Sequence, residues 1–111
     1  MAKTRVYHVL QLDRYWCKDN DPAPDELTLV AELEGDLEAA FYLTQNIDKS
    51  WTENKKVDAK VAEARSTYVG DLIVDSDGIG HVILPVGFRT AKKHLQSWVS
   101  HQLSGDQTKS E

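Results

Sequence analysis

The residues whose spacing comes nearest to a metal-binding pattern are three acids before Gly78, namely Asp71, Asp75 and Asp77. A calcium loop needs oxygen ligands at alternate positions before an obligatory glycine at position six, and another ligand at position twelve. With Gly78 at position six, positions one and twelve fall on Ile73 and Leu84, which have no side-chain oxygen. We therefore interpret this stretch as a tight turn built on the Asp77-Gly78 pair, and we predict no metal site.

Neither the histidines nor the single cysteine supplies a catalytic pattern. The sequence has no HExxH and no paired cysteines, which are the usual contexts of a zinc site. His94 and His101 would lie about 10 Å apart along a helix, too far to share one metal ion. Cys17 lies in a polar segment without an identifiable activating neighbour. We predict that the protein is not an enzyme and that it uses no metal and no cofactor.

An acidic segment is the first candidate for a binding surface. Residues 13–38 contain nine acidic residues and two basic ones. Tyr15 and Trp16 stand among these acids outside any periodic apolar pattern, so they either anchor the segment to the body of the protein or contact a partner. The predicted partner-binding residues are Tyr15, Trp16, Asp19, Asp21, Asp25 and Glu26.

A small basic cluster near the C-terminal end is the second candidate. Arg89, Lys92 and Lys93 are followed by no acidic residue as far as Leu103. Bases at the start of a helix can contact phosphate, helped by the helix N-terminus, although they can equally form a solvated helix face. The alternative prediction is therefore nucleic acid binding through Arg89, Lys92 and Lys93.

The composition is that of an ordinary globular protein. The 111 residues suffice for one domain, which we place at 1–103, followed by a small, polar, disordered tail at 104–111. The net charge of -5 argues against a general nucleic-acid-binding protein, because such proteins usually carry a basic excess. No apolar run approaches the ~18 residues of a membrane span, and a single cysteine fits a reducing compartment. We predict a cytoplasmic protein that does not bind membranes.

The predicted elements follow from hydrophobic periodicity. Residues 4–12 and 27–33 alternate as strands do, and Asp36 is a suitable N-cap for a helix from 37 to about 46. Residues 47–54 are expected to be irregular, and 57–64 to include a short helix. The strands of a β-hairpin are expected at 72–74 and 79–84, around Asp77-Gly78. The last helix, with Thr90 as its N-cap and Trp98 on its apolar stripe, is expected to end at 103–105.

This order of elements predicts an α+β fold. We expect a small antiparallel sheet of about four strands, with two or three helices packed on one face of it.

Residues 41–88 resemble a group of small proteins encoded by phages, plasmids and integrative elements. The resemblance rests on an F-x-x-T-[NQ]-x-x-D-x-x-W segment, an RSTSVGDVIV strand and a later Gly-Phe pair. The matching residues are Phe41, Thr44, Gln45, Asp48 and Trp51, the run RSTYVGDLIV at 65–74, and Gly87-Phe88. The YodL-like domains of mobile elements carry a related hairpin. Tyr68 departs from the pattern, which usually has serine there.

The shared residues are themselves interpreted as structural. Ser66 and Thr67 can bond nearby backbone groups, and Arg65 can pair with a carboxylate such as Asp48 or Asp71. The resemblance implies an accessory protein of a phage or plasmid. Together with the acidic segment, it leads us to expect a non-enzymatic protein that binds a host or element-encoded protein and inhibits a defence system of the CRISPR or restriction type. A nucleic-acid-binding defence effector would suit the acidic surface, and a nucleic-acid-binding regulator of the element is the alternative.

Overall fold

Six antiparallel strands form one sheet in the order β3-β2-β1-β4-β5-β6. The structure is a computed structural model that describes residues 3–10, 22, 24–47 and 49–109, with side chains as far as 103. The strands are β1 (Thr4–Val9), β2 (Leu27–Leu33), β3 (Val57–Ala59), β4 (Leu72–Val74), β5 (Gly80–Ile83) and β6 (Phe88–Thr90). The helices are α1 (Leu37–Leu43) and α2 (Lys93–Lys109), with single 3₁₀ turns at Pro24–Glu26 and Trp51–Glu53.

Strands β1 and β2 and helix α1 form where their patterns predict them, although β1 ends at Val9 and not at residue 12. Strands β1 and β2 pair in antiparallel fashion. A bulge in β2, opposite Val6 and Tyr7, places the neighbouring residues Val30 and Ala31 in the same core cluster. The predicted cap at Asp36 is confirmed, since its carboxylate accepts a hydrogen bond from the Ala39 N–H at 2.8 Å. Helix α1 follows directly and ends at Leu43, three residues earlier than expected.

The predicted hairpin is also confirmed. Strands β4 and β5 pair in antiparallel fashion, with Ile73 opposite His81. The turn spans four residues, because the Gly78 N–H donates to the carbonyl of Asp75 at 2.9 Å. Gly78 itself has a φ of +87°, a conformation that glycine adopts without steric cost.

Two predictions about the edges of the sheet are wrong. The helix expected within 57–64 is replaced by strand β3, which pairs with the end of β2. Thr90 belongs to strand β6 and does not cap the last helix, which begins at Lys93. The described residues thus form a six-stranded antiparallel sheet with two helices, which confirms the predicted α+β class and has more strands than the four or so expected. The backbone of α2 continues to Lys109, and the expectation of a disordered tail at 104–111 remains a prediction.

The two helices cover opposite faces of the sheet, not one face as expected. Alternate residues along β4 enter different clusters, with Ile73 in one and both Leu72 and Val74 in the other. The first cluster includes Ala40 of α1, and the second includes Leu95 and Val99 of α2. The predicted placement of Trp98 on the apolar side of its helix is confirmed. It is half-buried and meets the ring of Tyr7 edge to face, with centroids 5.6 Å apart.

Within the described part of the chain, neither helix is long and apolar enough to cross a lipid bilayer.

Candidate functional site

A buried ion pair joins Arg65 to Asp71 just before strand β4. The guanidinium donates two parallel hydrogen bonds, Nη1 to Oδ2 at 2.7 Å and Nη2 to Oδ1 at 2.8 Å. The Asp71 carboxylate is fully buried and also accepts from the backbone N–H groups of Val9 at 2.9 Å and Tyr68 at 2.8 Å. Its charge is thus satisfied by four donors, and this carboxylate ties strand β1 to the segment before β4.

His8 lies beside this ion pair and completes what we call the polar cluster (His8, Arg65, Thr67 and Asp71). Its Nε2 is 2.8 Å from the Thr67 hydroxyl and 3.9 Å from Asp71 Oδ2. Burial lowers the pKa of His8 to about 4, against the opposing attraction of Asp71 and with a small contribution from Arg65. The imidazole is therefore neutral at pH 7. Because it is only 7% exposed, it is poorly placed to exchange a proton with a bound substrate.

The two halves of the family-like motif are hydrogen-bonded to each other. The Gln45 amide donates to the Thr67 carbonyl at 2.9 Å, and the Ser66 hydroxyl accepts from the Asn46 N–H at 2.8 Å. The Trp51 indole N–H donates to the Arg65 carbonyl, also at 2.8 Å. The Ser66 and Thr67 hydroxyls therefore bond to residues far along the chain, Asn46 and His8, and not to nearby backbone groups as expected, whereas the pairing of Arg65 with Asp71 is confirmed. Asp48, the other predicted partner of Arg65, lies outside the described residues.

A second acid and base meet at the hairpin turn. Asp75 Oδ2 lies 2.8 Å from His81 Nε2, while Oδ1 accepts from the N–H groups of Asp77 and Ile79. Burial raises the pKa of Asp75, but the hydrogen bonds from Ile79, His81 and Asp77 outweigh it and leave the pKa below its ordinary value. This pair is partly exposed, at 26% for Asp75 and 16% for His81, and its carboxylate is engaged in holding the turn.

An open groove runs beside α1 and the segment after it, and we call it the Tyr42–Ile47 groove. Its volume is about 480 Å³. Tyr42 and Ile47 line it with 66% and 68% of their surfaces exposed, while the buried Trp51 lies in its wall. The remaining lining residues are Leu43, Gln45, Lys49, Ser50, Glu53, Asn54, Lys55 and Lys56.

The described polar clusters are therefore structural, whereas the groove is available for contact. Among the described residues, no group of three or more histidine, cysteine, aspartate or glutamate side chains is arranged to hold a metal ion.

Comparison with protein families, characterised proteins and solved structures found no match to this chain.

Most of the predicted partner-binding segment cannot be placed. Tyr15, Trp16, Asp19 and Asp21 lie outside the described residues. Asp25 is exposed and Glu26 is half-buried in the 3₁₀ turn before β2, where the Glu26 carbonyl accepts from the Leu10 N–H at 3.1 Å. This backbone bond holds the residue after β1 next to the turn that precedes β2.

The predicted basic residues differ in their surroundings. Lys92 and Lys93 are exposed at the start of α2. Arg89 is half-buried within β6, opposite Val82, and its Nη1 is 3.4 Å from the Thr90 carbonyl. Two of the three residues are thus exposed.

The Tyr42–Ile47 groove has no counterpart among the sequence-based predictions. One signal was available, since Tyr42 and Ile47 are large apolar residues that fall outside the stripe formed by Leu37, Ala40 and Phe41. Their position over a common depression depends on the path of the chain from 44 to 56.

Proposed function

We propose that this protein works by binding another protein and not by catalysis. The observation that carries the proposal is the exposure of Tyr42 and Ile47, each about two thirds exposed, on the rim of one groove. Clustered apolar side chains left in water on a small domain are typical of an interaction surface, and aromatic residues often supply its main anchors. The well-formed acid–base clusters, by contrast, are occupied with backbone and side-chain partners.

The biological setting of the proposal comes from the resemblance of residues 41–88 to accessory proteins of phages and plasmids. We propose that the protein acts in the cytoplasm on a host or element-encoded protein, and that it inhibits a defence effector of the CRISPR or restriction type. The predicted acidic segment supports this choice, because carboxylates beside an aromatic pair would complement a basic, nucleic-acid-binding surface. Of the six predicted partner-binding residues, Asp25 and Glu26 are the ones that the structure describes.

The test is capture of a defined partner by matched variants. The tagged protein is incubated with host lysate and, separately, with purified basic nucleases and CRISPR effectors in excess. We expect one partner to be retained by the wild type and lost by the Tyr42→Ala/Ile47→Ala double variant. Val86→Ala is the control, since Val86 is 89% exposed but lies in another turn. If no partner is retained, or if the double variant retains it fully, the proposal is wrong.

Nucleic acid binding is the second candidate, and the exposure of Lys92 and Lys93 at the start of α2 favours it. Residues 89–103 contain three basic residues and no acidic one, in a chain whose net charge is -5. It predicts binding of DNA or RNA that weakens as salt rises and when both lysines are changed to glutamine. If no binding occurs at low salt, this candidate is excluded.

A further inference from the structure

The Tyr42–Ile47 groove has a charge opposite to that of the whole chain. The protein has 13 basic and 18 acidic residues, for a net charge of -5. Among the described residues, the charged ones that line the groove are Lys49, Lys55, Lys56 and Glu53. The described lining is therefore positive, whereas the protein as a whole would repel an acidic partner at long range.

The three groove lysines form no ion pair with another described residue. Each is exposed, and no ion pair found among the described residues involves them. Lys60, which lies a few residues further along, contrasts with them because its Nζ is 2.7 Å from Asp58 and 3.3 Å from Glu32. The exposure of these lysines leaves them accessible to an incoming anion.

Apolar and charged features meet in the same groove. Its volume of about 480 Å³ lies within the roughly 300–1,000 Å³ range of ligand sites. Tyr42 and Ile47 offer apolar contact at its rim, and the lysines offer charge. A ligand that uses both must carry carboxylates or phosphates together with an apolar group.

We propose that the groove binds an acidic peptide segment of the partner protein, with an apolar side chain against Tyr42 and Ile47 and carboxylates beside the lysines. This inference rests on the proposed protein-binding function and adds the chemistry of the partner. One feature of the lining favours a peptide over nucleic acid. The branched side chain of Ile47 can pack against an apolar side chain but cannot stack on a base as an aromatic ring does.

The first experiment is selection from a random peptide library displayed on phage, with the whole protein immobilised. We expect the enriched peptides to be acidic and to share at least one large apolar residue. The Lys49→Gln/Lys55→Gln/Lys56→Gln variant should not enrich them. Lys93→Gln is the matched control, because it removes an exposed lysine from a different surface and should enrich the same peptides.

The second experiment measures affinity by fluorescence anisotropy, using the most enriched peptide and a version with glutamine for every acid. We expect the glutamine version and the triple lysine variant each to lower the affinity about tenfold, as three weak surface ion pairs would. The Tyr42→Ala/Ile47→Ala variant should lower it by a similar factor. Raising the salt concentration from about 0.05 to 0.5 M should lower the affinity for the acidic peptide but not the affinity for its glutamine version.

Several results would overturn the inference. Enriched peptides that are neutral or basic, or no enrichment at all, would exclude an acidic peptide. A second contrary result is that single-stranded DNA binds as tightly as the peptide and binds the Tyr42→Ala/Ile47→Ala variant equally well. The groove would then attract polyanions in general. Enrichment only after neutralising Asp19, Asp21, Asp25 and Glu26 would mean that the chain's own acidic segment fills the groove. If the wild type self-associates and the groove variants do not, the occupant of the groove is a second copy of the protein.

The failure of this inference can be told from failure of the proposed function. If a captured partner still depends on Tyr42 and Ile47 while acidic peptides do not bind, the groove binds a protein of different chemistry. If neither depends on these residues, both proposals are wrong.

Discussion

Two aspartates flank strand β4, and each meets a basic side chain, yet their surroundings differ. Asp71 precedes the strand, is fully buried and uses both oxygens to accept hydrogen bonds from Arg65 and two backbone N–H groups. Asp75 follows the strand, is 26% exposed and meets His81 with one oxygen while the other holds the turn.

The two aspartates therefore stabilise parts of the structure that differ in size. Asp71 joins segments that are distant in the chain, because its partner Val9 is 62 residues away. Asp75 organises only the turn that it begins. We therefore expect changes around Asp71 to affect the whole domain and changes around Asp75 to affect one hairpin.

The largest effect should come from Asp71→Asn. The amide nitrogen of asparagine would face a donor, either on Arg65 or on a backbone N–H, and the positive charge of Arg65 would lose its partner. Breaking a buried pair costs about 3–5 kcal/mol, and because the Arg65 side chain is 32% exposed we expect about 3 kcal/mol. Urea denaturation followed by tryptophan fluorescence measures it. A loss below about 1 kcal/mol would mean that the pair is not a main support of the fold.

The second effect is a dependence of stability on pH that comes from His8. Its pKa is lowered from 6.5 to about 4 by burial, so the unfolded chain binds the proton more readily than the folded protein. This contribution to stability is complete above pH 6.5 and is lost as the pH falls toward 4. We expect the free energy of unfolding to fall by about 2 kcal/mol between pH 6.5 and about 4.5.

His8→Gln is the control for that pH dependence, since glutamine does not titrate and can still hydrogen-bond to Thr67. The variant should show a flatter profile in the same window, whatever its absolute stability. The lowered pKa of Asp75 acts at lower pH, because its contribution is lost as the pH falls below the ordinary value of 3.8. An unchanged slope in His8→Gln would refute the assignment.

The third prediction concerns Gly78 in the turn that begins at Asp75, whose conformation should stabilise the hairpin. Gly78→Ala forces alanine to a φ of +87° and places its Cβ 3.0 Å from the Leu103 side chain. The left-handed conformation alone costs about 1 kcal/mol, and the contact adds to it. Gly87→Ala is the matched control, because its φ is +75° and a Cβ there meets nothing within 4 Å. Equal melting temperatures for the two variants would show that Leu103 moves aside.

The smallest effect should come from Asp75→Asn, the same substitution as at Asp71. The amide oxygen can still accept from Asp77 and Ile79, and the amide nitrogen can donate to His81. We expect a loss of about 0.5 kcal/mol in urea denaturation, as for an exposed pair. Asp77→Asn, on an exposed side chain of the same turn, should change nothing measurable. A loss as large as that of Asp71→Asn would remove the distinction between the two sites.

The parts of the fold that the sequence predicts correctly are those with strong local signals. Asp36 caps α1 because its side chain reaches an N–H three residues later, and the hairpin follows from β-branched runs on either side of Gly78. Strands β3 and β6 were missed because three residues are too few to show alternation. The two-sided covering of the sheet was missed because short strands in its centre, such as β4, are buried on both faces.

The candidate site was harder to predict for a related reason. The pairing of Arg65 with Asp71 was anticipated because the two residues are close in the chain and opposite in charge. The participation of His8 and the convergence of Lys49, Lys55 and Lys56 on Tyr42 depend on tertiary structure, which no local pattern encodes. The contribution of Tyr15 and Trp16 remains a prediction.

The central place of β1 in the sheet has a consequence for the synthesis of the chain. Strand β1 can pair with β2 as soon as residues up to the end of β2 have left the ribosome. The other edge of β1 stays unpaired until β4 has been synthesised. Asp71, just before β4, follows Val9 by 62 residues, which takes roughly several seconds at typical rates of translation. During that time the unpaired edge of β1 can bind a strand of another nascent chain. Fragments that end before β4 should therefore aggregate, and polysomes that translate this message densely carry the greatest risk of misassembly.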